Sequence, residues 1–200
     1  MRSFLRLLAT CLICFTGGAF AQRLSFGLLG GASLTQDFQN NISDFGGTAP
    51  VTNYSTPKRY IVGGLLEVRL PFNLSVEADG LFHELEYTSA TIENGTPFSV
   101  SPAPVVTWEF PILAKYRFAL PILRPFIEAG PSFRTSGNLN STSPSNHGFA
   151  AGLGVEAKLW KLKLAPQLRY IRWARDSRMA GFGAPFTKPD QVEFLVSLSF

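Results

Sequence analysis

The final stretch of the chain alternates with a period of two. Val192, Phe194, Val196, Leu198 and Phe200 fall on one side, and Gln191, Glu193, Ser197 and Ser199 on the other. A strand sends successive side chains to opposite faces, so the pattern calls for a strand between two different media. It recurs along the chain. Over residues 59–70, Tyr60, Val62, Gly64, Leu66, Val68 and Leu70 oppose Arg59, Glu67 and Arg69. Over residues 107–118, Trp108, Phe110, Ile112, Ala114, Tyr116 and Phe118 oppose Thr107, Glu109, Lys115 and Arg117. Over residues 148–159, Phe149, Ala151, Leu153, Val155, Ala157 and Leu159 oppose Glu156 and Lys158. Residues 24–34, 74–87, 124–134 and 162–171 carry the same period less cleanly. The second of these blurs near Glu84, where a β-bulge is expected to shift the register. Pro111, Pro131 and Pro166 each remove a ladder donor from a strand.

The links between these segments alternate in length. They are tight at residues 71–73, 120–121 and 160–161, and long at 35–58, 88–104, 135–147 and 174–190. The long ones are rich in Ser, Thr, Asn, Gly and Pro. Eight strands joined in this way bring both ends of the domain and every short turn to one side. The expected fold is all-β: an eight-stranded antiparallel up-and-down transmembrane β-barrel with short periplasmic turns and long extracellular loops. A soluble lipocalin-like barrel would instead turn the apolar face inward around a cavity. The aromatics favour lipid. Tyr60, Trp108, Phe149 and Tyr170 sit near the loop end, and Tyr116, Phe118, Trp160 and Phe200 near the turn end, as two interfacial girdles would.

The N-terminus agrees with export. Arg2 and Arg6 precede an apolar run over residues 7–16, and Ala19-Phe20-Ala21 is the small-x-small pattern of signal-peptidase cleavage. Residues 1–21 are expected to be a cleaved signal peptide and 22–200 the barrel domain, with no further domain after the last strand. The apolar run is too short for a membrane helix, and Gly17-Gly18 interrupts it. Cys11 and Cys14 both lie in the leader, so the mature chain has no disulfide and no cysteine ligand. The net charge of +4 is carried by dispersed Lys and Arg that alternate with carboxylates, a distribution that points away from nucleic acid.

The polar face then fills the lumen. It is expected to carry Arg59, Arg69, Lys115, Arg117, Arg124, Arg134, Lys158, Lys163 and Arg169 with Glu67, Glu77, Asp79, Glu109, Glu128, Glu156 and Glu193. A cation on the lipid side at mid-bilayer would cost about 2–4 kcal/mol, which sets the orientation. Buried charges need partners, so interleaved ion pairs are expected. Gly27, Gly31, Gly63, Gly130, Gly152 and Gly154 share this face and make room in a bore just wide enough for its own side chains.

Two runs, Trp108-Glu109-Phe110-Pro111-Ile112-Leu113-Ala114-Lys115-Tyr116-Arg117-Phe118 and Arg124-Pro125-Phe126-Ile127-Glu128-Ala129-Gly130-Pro131-Ser132-Phe133, carry a family resemblance. So does the closing run from Val192 through Phe194, Val196 and Leu198 to Phe200. Together the chain resembles the small bacterial outer-membrane β-barrel family, which includes the membrane domain of outer membrane protein A, outer membrane protein X and the PorT-like barrels. The resemblance covers essentially the whole mature chain and is specific for architecture. It implies that Phe194, Val196, Leu198 and Phe200 form the assembly signal read by the barrel-assembly machinery. It also implies passage through the export translocon and residence among outer-membrane lipid and lipopolysaccharide.

Catalytic signals are weak. Ser145, His147 and Glu156 offer the residue types of a hydrolase triad, but His147 is followed by Gly148-Phe149, not by the deacylase pattern His-x-Ser-Asn. His83 lies beside Glu84 and Glu86 and reads as an interface or lumen residue. Asp37, Asp44, Asp176 and Asp190 match no calcium-loop spacing. Lys58, Arg172, Arg175, Arg178 and Lys188 read as a solvated loop face. No catalytic, cofactor or metal site is expected. The leading function is a structural or surface-interaction barrel whose loops face outside and can meet an external ligand. A gated transporter of small solutes or apolar molecules is the alternative, and a lipid-modifying enzyme (a lipid A hydrolase or acyltransferase) comes third.

Overall fold

Each alternating segment becomes a strand because one row of side chains is apolar and the other polar. The computed structural model describes residues 24–43, 50–93, 96–120, 123–137, 143–159, 162–176 and 185–200. The expected leader, its cleavage residues Ala19 and Ala21, and Trp160, Asp44 and Arg178 lie outside the described residues. The strands are β1 (Leu24–Ser33), β2 (Asn41–Ser43), β3 (Val51–Ser55), β4 (Tyr60–Arg69), β5 (Leu74–Glu93), β6 (Thr96–Arg117), β7 (Leu123–Ser136), β8 (His147–Leu159), β9 (Leu162–Trp173) and β10 (Asp190–Ser199).

Eight of them close a wall in the order β5-β4-β1-β10-β9-β8-β7-β6, and the β5–β6 pairing completes the circle. All pairings are antiparallel. The seam is β1 against β10, with Gly27 opposite Ser199 and Ser33 opposite Glu193. Beyond Phe26 it continues through the Phe200 amide, which donates to the Phe26 carbonyl at 3.0 Å. β2 and β3 lie outside the wall and extend the upper part of β5 into a small sheet.

The faces divide as the alternation requires. In β9 the pattern is unbroken, with Leu162, Leu164, Leu168 and Tyr170 exposed and Lys163, Gln167, Arg169, Ile171 and Trp173 buried. The exposed row of β6 runs from Trp108 to Tyr116, about 26 Å along the strand at roughly 3.3 Å per residue, a fair match to a hydrocarbon core. Aromatics mark its limits. Phe82 stacks on Tyr60 at 6.3 Å and meets Trp108 edge-on at 5.5 Å, while Tyr116 meets Phe118 edge-on at 5.2 Å.

Three expectations need correction. No bulge occurs near Glu84: the β5–β6 register is continuous there and shifts only between Thr91 and Ile92. Glu84 and Glu86 simply continue the outward row above Phe82, where Lys58 pairs with Glu84 at 2.7 Å and with Glu86 at 3.5 Å. The outward row changes from apolar to charged because the strand has passed the aromatic girdle. Residues 88–104, expected as a loop, are mostly the extended upper halves of β5 and β6. The segment 35–58 is likewise not all loop, since it contains β2 and β3.

Candidate functional site

The inward rows of the wall build a filled bore, which resolves into layers. At the turn end, Arg117 is held between two acids and a hydroxyl. Its Nη2 lies 2.7 Å from Glu67 Oε1, its Nε donates to Glu156 Oε2 at 3.0 Å, and its Nη1 donates to Ser75 Oγ at 2.7 Å. Arg69 joins from the rim at 3.4 Å from Glu67. Lys163 donates to Ser25 Oγ at 2.9 Å and to the Phe200 carbonyl at 3.3 Å, and Ser25 Oγ also donates to that carbonyl. The closing residue is thereby tied to the floor of the bore.

The middle layer is a buried lattice. Lys115 bridges Glu77 and Glu128, the latter at 3.2 Å, and its Nζ lies 4.4 Å from the centroid of the Phe126 ring. Arg169, fully buried, reaches Asp79 at 2.8 Å, Glu128 at 3.1 Å and Glu77 at 3.8 Å. Gly152 makes space for it: a Cβ there would stand 2.8 Å from Glu128 Oε1 and 3.0 Å from the Leu168 carbonyl. Sharing Glu77 and Glu128 between two cations each, with Asp79 held by Arg169, offsets the cost of taking the charges out of water.

Above this the pairing fails. His83, Glu109 and Glu193 converge with candidate ligand atoms all within 4.8 Å of one another, and all three are buried. His83 Nδ1 is 3.6 Å from Glu109 Oε1, and its Nε2 is 3.8 Å from Asp37 Oδ1. None of these carboxylate oxygens or imidazole nitrogens has a hydrogen bond among the described residues, which is uncommon for buried polar groups. Asp37 enters from the loop after β1, where burial pushes its carboxyl up to about 6 against the opposing pull of the His83 imidazole. Phe38 follows it and caps the bore, packed against Leu85, Tyr87 and Val105 with its ring 5.1 Å from that of Tyr87. The cap is pinned by Ser55 Oγ, which accepts from the Phe38 amide at 3.3 Å, and by the Lys188 amide, which donates to the Asp37 carbonyl at 2.7 Å.

The structure sorts the expected lumen charges into three groups. Glu67, Arg69, Glu77, Asp79, Lys115, Arg117, Glu128, Glu156 and Arg169 meet in the two lower layers. Arg134 and Glu109 face each other across β6 and β7 without an ion pair. The Arg134 guanidinium instead lies 4.2 Å over the Trp173 ring and donates from Nε to the Ser145 carbonyl at 3.1 Å. Glu193 makes no ion pair among the described residues. Arg59, Arg124 and Lys158 are exposed at strand ends, where the bore opens to water, and they join no layer. The bore also holds an apolar side that alternation did not reveal, formed by Leu29, Ile61, Leu65, Leu81 and Leu195.

The remaining candidates are scattered. Ser145 and Glu156 stand near opposite ends of β8, and Glu156 is committed to Arg117. His147 is exposed with Nδ1 2.8 Å from Asn146 Oδ1, so Ser145, His147 and Glu156 form no triad. Asp176 accepts from the amides of Ser145 and Thr187, and Asp190 pairs with Arg172 on the surface. Lys188 donates to Gln36 at 2.9 Å. Arg172, Arg175, Asp176, Phe186 and Thr187 help line a hollow of about 420 Å³ on the loop rim.

Comparison with known proteins supports the architecture. The sequence matches the outer membrane protein beta-barrel domain family over residues 7–200. No curated protein matches the sequence. Among solved structures, the fold is similar to that of the outer membrane protein OprG from Pseudomonas aeruginosa, with a TM-score of 0.56 and 11% identity over 88% of this chain and 92% of that one. With its closed antiparallel wall and aromatic-bounded apolar belt, the chain belongs to the outer membrane protein β-barrel domain family of the bacterial outer membrane.

Proposed function

We propose that the protein is a closed, non-conducting barrel that anchors an external surface in the outer membrane. The observation that carries this reading is the continuity of the filling, from Lys163 and Arg117 at the turn end, through Arg169, to Phe38 at the mouth. Long β-structure stands above the aromatic girdle: the upper halves of β5 and β6, extended by β3 and β2, together with the rim hollow beside Arg172 and Phe186. Strand extensions and sheet edges of this kind suit contact with lipopolysaccharide headgroups or an external ligand. The test is single-channel recording of the refolded protein in planar bilayers. A silent baseline is expected, and steady ohmic conductance would sink the reading.

A second reading rests on the wall. Paired register skips residues 79–80 on β5 opposite 110–111 on β6, residues 112–113 on β6 opposite 130–131 on β7, and residues 155–156 on β8 opposite 165–166 on β9. Each break contains a proline, which cannot donate to the ladder. Weak seams at Pro111, Pro131 and Pro166 would suit sideways passage of apolar molecules between lumen and lipid. Uptake of an apolar tracer by cells carrying the Pro111→Val/Pro131→Val variant decides it: reduced uptake supports passage, and unchanged uptake removes it.

A further inference from the structure

Two buried carboxylates of the upper layer have arginines directly across the ladder, and neither forms an ion pair with the arginine opposite it. Glu193 stands opposite Arg169, whose guanidinium is turned toward Asp79 and Glu128. Glu109 stands opposite Arg134, whose guanidinium is laid on Trp173. The His83 imidazole sits between them, wholly enclosed. Glu193 is 0% exposed with both oxygens unpartnered and directed into this cluster. An enclosed arrangement of an imidazole and two carboxylates whose polar atoms lack hydrogen bonds is costly when empty and favourable around a dication.

We propose that His83, Glu109 and Glu193 form an internal binding site for one divalent first-row metal ion, held in the upper lumen beneath the Asp37–Phe38 cap. The geometry agrees in two respects. Metal–ligand bonds of about 2.0–2.2 Å place neighbouring tetrahedral donors about 3.4 Å apart, and His83 Nδ1 already lies 3.6 Å from Glu109 Oε1. The other ring nitrogen, Nε2, faces Asp37 at 3.8 Å, the disposition in which a carboxylate orients a metal-bound imidazole. Asp37 is therefore a positioning residue that the cap delivers to the site. One nitrogen and two oxygens without thiolate select zinc, manganese or ferrous iron over copper(I) or a hard alkaline-earth ion. The bound ion would join β5, β6 and β10 across the bore and add positive charge where Glu109 and Glu193 form no ion pair with arginine.

The test uses the mature barrel, refolded in detergent with chelator, checked by its heat-dependent gel mobility and then titrated with Mn²⁺ or Zn²⁺. One equivalent is expected by calorimetry, and the Mn²⁺ signal should carry nitrogen coupling in electron spin echo spectra. His83→Gln should abolish that coupling, Glu193→Gln should weaken binding at least tenfold, and Asp37→Asn should weaken it about tenfold. Glu84→Gln, altered on the outer face, should leave binding unchanged. Absence of stoichiometric binding by the folded wild-type barrel overturns the proposal and leaves the two arginines as the counter-charges. Binding without nitrogen coupling, or binding equal in the His83 and Glu193 variants, overturns it as an adventitious ion only.

Discussion

Arg169 carries more of the bore than any other side chain, because three acids from β5 and β7 depend on it. Arg169→Met would keep much of its volume but strand Asp79, Glu128 and Glu77 with Lys115 as their remaining cation. Breaking a buried pair from one side costs about 3–5 kcal/mol, and equilibrium urea unfolding in lipid vesicles should show a loss of that order. Arg172→Met, which breaks the exposed pair with Asp190, should leave the same unfolding midpoint in place. Gly152 is the complementary case. Gly152→Val would drive a branched side chain into Glu128 Oε1, where even a bare Cβ would approach to 2.8 Å. Overpacking of this kind costs about 1–3 kcal/mol, and the variant should unfold at lower urea than Ala151→Val, which changes the outer face.

The strands show why some elements were legible in the sequence and others were not. Period two is visible only where the two faces of a strand meet different media. β4, β6 and β9 are read correctly from Tyr60, Trp108 and Leu162 onward because lipid and lumen demand opposite chemistry. In the upper part of β6 both faces meet water, with Ser99 and Ser101 on one row and Val100 on the other all exposed, so the rows carry no contrast and the segment read as loop. The change at Glu84 was the end of the apolar belt, which mimics a bulge in the sequence. The turn between β4 and β5 shows a different property. Phe72 and Asn73 both have positive φ, 62° and 61°, the signature of a type I′ turn. Asn accepts that conformation, whereas Phe pays about 1 kcal/mol for it with its ring 87% exposed. Phe72→Asn should therefore raise stability by about 1 kcal/mol in the same urea assay, and a loss would mean that the ring packs against the lipid surface.

At the scale of the molecule, closure of the wall was readable but the pairing within it was not. Parity put Glu109, Arg134, Arg169 and Glu193 on the inner face, yet parity cannot say which guanidinium turns to which acid. Nor could it bring Asp37 and Phe38 down from a loop, or gather His83 and Glu109 of β5 and β6 with Glu193 of β10. The closing strand poses the last question at this scale, whether Phe200 matters to the folded barrel or to its delivery. Its ring is 66% exposed, while its backbone is tied to Phe26, Ser25 and Lys163. Phe200→Ala removes the ring and keeps those backbone bonds. If the aromatic end is a signal for the assembly machinery, the variant refolds in detergent with the same heat-dependent mobility and urea midpoint, yet accumulates several-fold less in outer membranes. Equal accumulation in cells would remove that role. A shifted midpoint in vitro would make Phe200 a packing residue of the seam, and the two assays together separate recognition from stability.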